Sequence, residues 1–272
     1  MRIAMDFING QPCWAGLSTP EVDASVTFYR EVFGWDIESQ GPEHGDYRIA
    51  SARTDSGPVA VAGLGAAMDD TSPSDAPAHH DAGSQRSVWH LYLHFDDVEQ
   101  SFDEALHLGA TAIIEPTDVG EQGTMALLHD PAGAVIGLWQ PGTHRGFGAA
   151  AQPGCPAWFD LHTKDFDAAR AFYSRWLGVE FEQPEGFPDT YASAKGPEGD
   201  YLFGMMDVSQ VYPPEQPSTW NTCYLVDSAG DTLRRAVDLG AFAMMDADPS
   251  PYGFISAFAD PRGATIFAIG GQ

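Results

Sequence analysis

The segment Trp14-Ala15-Gly16-Leu17-Ser18-Thr19 returns as Trp158-Phe159-Asp160-Leu161-His162-Thr163, Phe28-Tyr29 returns as Phe172-Tyr173, and Gly34 returns as Gly178. Every pair stands 144 residues apart, with no gap across the stretch. A repeat of that length constrains the architecture before any local propensity is weighed, because each copy must be a folding unit joined to another of its kind. Later segments recur too: Leu108-Gly109-Ala110 as Leu239-Gly240-Ala241, and Asp130-Pro131-Ala132-Gly133-Ala134 as Asp260-Pro261-Arg262-Gly263-Ala264. Residues 141–154, rich in Pro, Gly and Ala, have the composition of a linker. The expected organisation is a first module over 1–140, with units near 12–65 and 88–140 around a long polar loop at 66–87. A second module follows over 155–272, with units near 155–207 and 218–269.

Within each unit the periodicity reads strand, helix, then several strands. Val22, Val26, Tyr29 and Phe33 recur every three or four residues until Gly34, and Pro20 suits a first helical position. Val98, Phe102, Ala105 and Leu106 before Gly109 mark a second helix. Phe166, Phe172, Tyr173 and Trp176 before Gly178 mark a third, and Leu233, Val237 and Leu239 before Gly240 a fourth. Short β-rich runs follow, such as 111–114, 124–128 and 135–139. Four βαβββ units paired into two modules, an α+β architecture, is what this pattern implies.

Asp and Glu number 39 against 13 Lys and Arg, a net charge of -26 that repels phosphate backbones and anionic lipid alike. No nucleic acid and no membrane is therefore expected as a partner. Residues 1–10 never build the apolar run of a signal peptide, and a cytoplasmic protein is expected. Cys13, Cys155 and Cys223 are odd in number, widely spaced and without a CxxC, so they read as reduced, half-buried side chains. The loop pair His79-His80 reads as solvated.

The acidic helix starts that lead to Phe-Tyr and then Gly (Glu21 to Gly34, Asp165 to Gly178) resemble the opening unit of vicinal-oxygen-chelate proteins, the glyoxalase/bleomycin-resistance/extradiol dioxygenase superfamily. Phe95-Asp96-Asp97-Val98 and the two Asp-Pro-x-Gly segments resemble later parts of the same fold, so that nearly the whole chain is covered. The resemblance implies two glyoxalase-like modules, each a curved, cup-like mixed β-sheet. It also implies a divalent metal held by His and Glu side chains, one from each of four strands. Counted from the helix starts and the Asp-Pro-x-Gly turns, those positions fall near Trp14, Gly63, His90 and Gly137, and near Trp158, Gly204, Asn221 and Phe267. Only His90 among them is a usual ligand, so no metal and no other cofactor is expected. A slip of one residue would put Trp89 in place of His90.

Alternation at period two places His90, Tyr92 and His94 on one face, and Trp14, Gly16 and Ser18 on another strand of it. With Gly63 and Gly137 leaving space and Trp139 nearby, the first cup reads as a site for a flat, largely apolar molecule. The second cup would hold Trp158, Asp160, His162, Asn221, Cys223 and Phe267, with Asp160 and His162 forming a carboxylate–imidazole pair. The leading expectation is a metal-independent protein, monomer or homodimer, that binds a small hydrophobic or aromatic metabolite, as in antibiotic resistance. The alternative is a metal-free lyase, isomerase or cyclase acting on a natural product through His90, Tyr92, His94, Asp160 or His162. A metal-dependent dioxygenase or glyoxalase I-like enzyme stands third, and a pure interaction protein fourth.

Overall fold

A computed structural model describes residues 6–67 and 86–272. Most of the long loop, including His79 and His80, lies outside the described residues. Four βαβββ units follow one another. The first comprises β1 (Pro12–Thr19), α1 (Val22–Phe33), β2 (Asp36–Ser39), β3 (Arg48–Thr54) and β4 (Gly57–Ala66). The second comprises β5 (Val88–His94), α2 (Val98–His107), β6 (Thr111–Asp118), β7 (Gly123–His129) and β8 (Val135–Pro141). The third runs β9 (Pro156–Thr163), α3 (Phe166–Leu177), β10 (Glu180–Glu182), β11 (Tyr191–Lys195) and β12 (Tyr201–Asp207). The fourth runs β13 (Thr219–Ser228), α4 (Ala229–Asp238), β14 (Phe242–Ser250), β15 (Gly253–Ala259) and β16 (Thr265–Gly271).

Units one and two form one eight-stranded sheet, in the order β2-β3-β4-β1-β5-β8-β7-β6. Units three and four form its counterpart, β10-β11-β12-β9-β13-β16-β15-β14. Both sheets are mixed, since β1 pairs β4 in parallel and β5 antiparallel. The fold is thus the α+β, two-module arrangement expected. Helices α1 and α3 stop at Gly34 and Gly178, whose φ of 68° and 65° is the left-handed cap that glycine adopts without strain. Pro20 lies outside α1, which begins at Val22. The Thr19 hydroxyl accepts from the Glu21 amide at 3.2 Å, holding that turn non-helical. The strand expected at 111–114 extends to Asp118 through Pro116, which β6 tolerates because it is a sheet edge. All three cysteines are buried rather than half-buried, and free. Among the described residues no helix is long and apolar enough to cross a membrane.

The sheets pair units one with two and three with four, but the apolar cores pair one with four and two with three. Phe33 and Trp35 pack on Tyr224 at 5.5 and 4.9 Å, and Phe95 packs on Trp176 at 5.1 Å. Two matching polar clasps cross the same boundary. The Tyr29 hydroxyl receives a hydrogen bond from Trp89 Nε1 at 3.0 Å and donates to Asp260 Oδ2 at 3.0 Å. The Tyr173 hydroxyl receives one from Trp220 Nε1 at 3.1 Å and donates to Asp130 Oδ2 at 2.8 Å. The other oxygen of each carboxylate accepts two backbone amides of its own Asp-Pro-x-Gly turn. These aspartates therefore shape a turn and join the modules at once.

Candidate functional site

Trp89, bonded to Tyr29 on the helix side, fixes the register of β5: His90, Tyr92 and His94 turn to the helix-free face. On β1 the same alternation buries Ala15 and Leu17 toward the helices and sends Trp14, Gly16 and Ser18 to that face, the first cup. Gly16 lies beside both Gly63 and His90, Tyr92 lies between Trp14 and Gly137, and His94 lies beside Trp139. Ser18 sits between Gly65 and Val88 at the end of the strand.

The glycines do not leave the open space expected of them. A Cβ on Gly63 would stand 1.9 Å from the Tyr47 hydroxyl, and a Cβ on Gly137 would stand 2.2 Å from the Tyr92 ring. The chain's own tyrosines occupy that room, and Trp14 Nε1 donates to the Tyr47 hydroxyl at 3.2 Å. His144, from the linker, packs edge-on to Trp14 at 4.3 Å and lies 5.6 Å from Trp139, whose Nε1 donates to the His144 carbonyl at 3.0 Å. His90 Nδ1, His94 Nδ1 and His144 Nε2 are buried with no hydrogen-bond partner among the described residues. Burial lowers the pKa of His90 and of His144 from 6.5 to about 4, so both are neutral imidazoles at pH 7.

The second cup repeats the plan with different chemistry. Tyr191, 144 residues after Tyr47, covers Gly204, and Trp158 Nε1 donates to the Tyr191 hydroxyl at 2.9 Å. Asp160 replaces Gly16, and its Oδ1 accepts from Tyr191 at 2.7 Å and from Trp158 Nε1 at 3.1 Å. Burial raises its pKa from 3.8 to about 6 despite both bonds. The expected Asp160–His162 pair is not made. His162 Nδ1 is 2.6 Å from the Tyr212 hydroxyl, its ring lies 5.5 Å from Phe267, and burial lowers its pKa to about 4 rather than raising it. Asn221 is in register with Asp160, 3 % exposed, and its Oδ1 has no partner among the described residues.

Tyr47, Tyr191, His144 and Tyr212 escaped sequence reasoning. The first two carried a signal in the constant 144-residue offset, whereas His144 and Tyr212 sit in irregular segments without periodicity. Two open clefts lie outside the cups. One, of about 510 Å³, is at Glu21, Asp23, Asp46 and Arg48. The other, of about 380 Å³, is among Asp96, Asp97, Glu99 and Asp118.

The metal implied by the resemblance needs several converging donors. Trp14, Gly63, His90 and Gly137 offer one imidazole, with both glycines under tyrosine rings, and Trp158, Gly204, Asn221 and Phe267 offer one amide oxygen. Among the described residues no three His, Cys, Asp or Glu side chains come together. A single donor at the four implied positions of each module, with no third donor converging beside it among the described residues, does not fit a divalent ion.

Comparison with known proteins agrees with this architecture. Residues 12–138 match the model of the Glyoxalase/Bleomycin resistance protein/Dioxygenase superfamily, and residues 157–268 that of the Glyoxalase-like domain. The chain is 29% identical over 266 residues to "Putative glyoxylase CFP32" of Mycobacterium tuberculosis, covering 97% of this chain and 95% of that protein. It is likewise 29% identical over 266 residues to "Anthracycline biosynthesis protein DnrV" of Streptomyces peucetius, covering 97% and 94%. In fold it is similar to the Mn(II)-bound glyoxalase of Novosphingobium aromaticivorans, at TM-score 0.61 and 15% identity, covering 96% of this chain and 82% of that one. It is also similar to a 4-hydroxymandelate synthase variant of Streptomyces coelicolor, at TM-score 0.59 and 14% identity, covering 97% and 94%. With both of its repeats matched in order, the chain belongs to the glyoxalase/bleomycin resistance protein/dioxygenase superfamily.

Proposed function

We propose that the protein binds a flat aromatic metabolite bearing hydroxyl or carbonyl groups on the helix-free faces of its sheets, without a metal. One observation carries this reading. His90 beside Gly16 and Asn221 beside Asp160 occupy equivalent places in the two sheets, and each keeps a buried polar atom without a partner among the described residues. Leaving such an atom unpaired costs about 1–3 kcal/mol, which a ligand's hydrogen bond would offset. The walls support the class of ligand. Trp14, Tyr47, Tyr92 and Trp139 line the first site, and Trp158 and Tyr191 the second, aromatic surfaces on which a flat ring would stack once Tyr47 or Tyr191 turns aside. The name of the Streptomyces peucetius relative points the same way, since anthracyclines contain a fused-ring aromatic core.

The test is a titration of EDTA-treated protein with 1,4-dihydroxyanthraquinone, read by tryptophan fluorescence and paired with elemental analysis of untreated protein. Saturable quenching is expected, weakened roughly tenfold by His90→Ala, about 1.4 kcal/mol for one lost hydrogen bond. Absence of saturable quenching, or stoichiometric Mn, Fe, Zn or Ni required for it, would sink the reading.

A further inference from the structure

We propose that the second cup is a proton-transfer site, in which the Asp160 carboxylate takes a proton from a carbon next to a ketone of an aromatic substrate while His162 and Asn221 hold the substrate's oxygens. The substrate class rests on the reading above, but the site and its activity are separate from binding in the first cup.

The comparison between repeats isolates the group. Both cups build the same tryptophan–tyrosine bond, at 3.2 Å in the first and 2.9 Å in the second, and the first does so with glycine where the second has Asp160. The carboxylate is therefore dispensable for the fold. Its two hydrogen bonds come from the neutral donors Tyr191 and Trp158, with no Lys or Arg among them, and a buried carboxylate lacking a cation destabilises the folded state. Both bonds fall on Oδ1, which fixes the carboxylate's orientation and leaves Oδ2 without a donor among the described residues.

Two neighbours complete the arrangement. Asn221, directly across from Asp160, presents Oδ1 with no partner among the described residues at 3 % residue exposure. Its Nδ2 donates to the Thr219 carbonyl at 3.3 Å, so a flipped amide would set oxygen against oxygen. A substrate hydroxyl would satisfy that acceptor. At 2.6 Å a phenol donates to an imidazole better than it accepts from one, so Tyr212 caps His162 Nδ1 and the proton resides on Nε2. A neutral imidazole N–H is a donor suited to a ketone oxygen on which charge develops.

The step is balanced without a co-reactant. The C–H bond breaks and its proton passes to Asp160 Oδ2. The electron pair becomes the C=C bond of an enolate, whose oxygen accepts from His162. Returning the proton elsewhere gives an isomer. The titratable groups at this cup are His162 on β9, Tyr191 on β11, Cys223 on β13, and Tyr212. Burial lowers the pKa of His162 to about 4, raises Tyr212 to about 12, and raises Tyr191 and Cys223. With a pKa raised to about 6, Asp160 is the one among them that changes charge near neutrality.

The experiment follows deuterium entry into the α-methylene of 1-tetralone in D2O by proton NMR, using the full chain. Exchange above the buffer rate is expected, rising with pH through an apparent pKa near 6, and Asp160→Asn should lower it at least about 100-fold. The variant should unfold in urea in one cooperative transition, as wild type does, which shows that loss of exchange is not loss of the fold. Wild-type exchange no faster than buffer, or Asp160→Asn exchange within a few-fold of wild type, overturns the proposal. Exchange that persists while the anthraquinone fails to bind overturns the binding reading above instead.

Discussion

Asp160 ties site chemistry to stability at the scale of one residue. Burial raises its pKa from 3.8 to about 6, so between those values the folded chain holds a proton that the unfolded chain has released. Stability is therefore lost as pH rises through this window, by at most about 3 kcal/mol at pH 7. Asp160→Asn keeps an oxygen to accept from Tyr191 and Trp158 and removes the charge. It should be more stable than wild type at pH 7.5, with the gap closing toward pH 4, as read by urea unfolding at several pH values. A variant no more stable at pH 7.5 would show that the carboxylate is well solvated. The residue scale is also where sequence reading failed most. Asp160 and His162 share a face, but two strand residues stand roughly 7 Å apart. Nearer partners, Tyr191 and Tyr212, take each of them first.

At the scale of elements the sequence was informative wherever periodicity governs. All four helices were legible from apolar spacing and closing glycines, because those signals are local. The runs read at 111–114, 124–128 and 135–139 are strands, but β6 runs on through Pro116, and β14, for which no run was read, passes through Pro249, both as sheet edges where a missing N–H is harmless. The meaning of the central glycines was not legible, since it depends on tyrosines that arrive from other strands and turns. A methyl group at Gly204 would stand 1.9 Å from the Tyr191 hydroxyl and 2.1 Å from Asp160 Oδ1. Gly204→Ala should therefore displace Tyr191, destabilise by about 1–3 kcal/mol as overpacking does, and weaken aromatic binding in the second cup. Unchanged stability would show that Tyr191 swings away freely.

At the scale of the whole molecule, the repeat visible in sequence hides an exchange of partners. Each sheet is made within one module, but each core is completed by a helix and sheet of the other. The linker joins this packing, with Trp35 Nε1 donating to the Gly154 carbonyl at 2.8 Å and Phe147 stacked on Phe159 at 5.6 Å. Residues 155–272 alone should therefore fail to show a cooperative melt, whereas co-expression with the first module should restore one. The clasps allow a sharper test in the intact chain. Tyr29→Phe leaves Asp260 Oδ2 and Trp89 Nε1 unpaired, and Tyr173→Phe does the same to Asp130 Oδ2 and Trp220 Nε1. Each should cost about 1–3 kcal/mol. The clasps share no residue, so the double variant should lose about the sum while still unfolding in one transition by tryptophan fluorescence. Two separated transitions would mean that the modules fold independently and that the clasps only dock them.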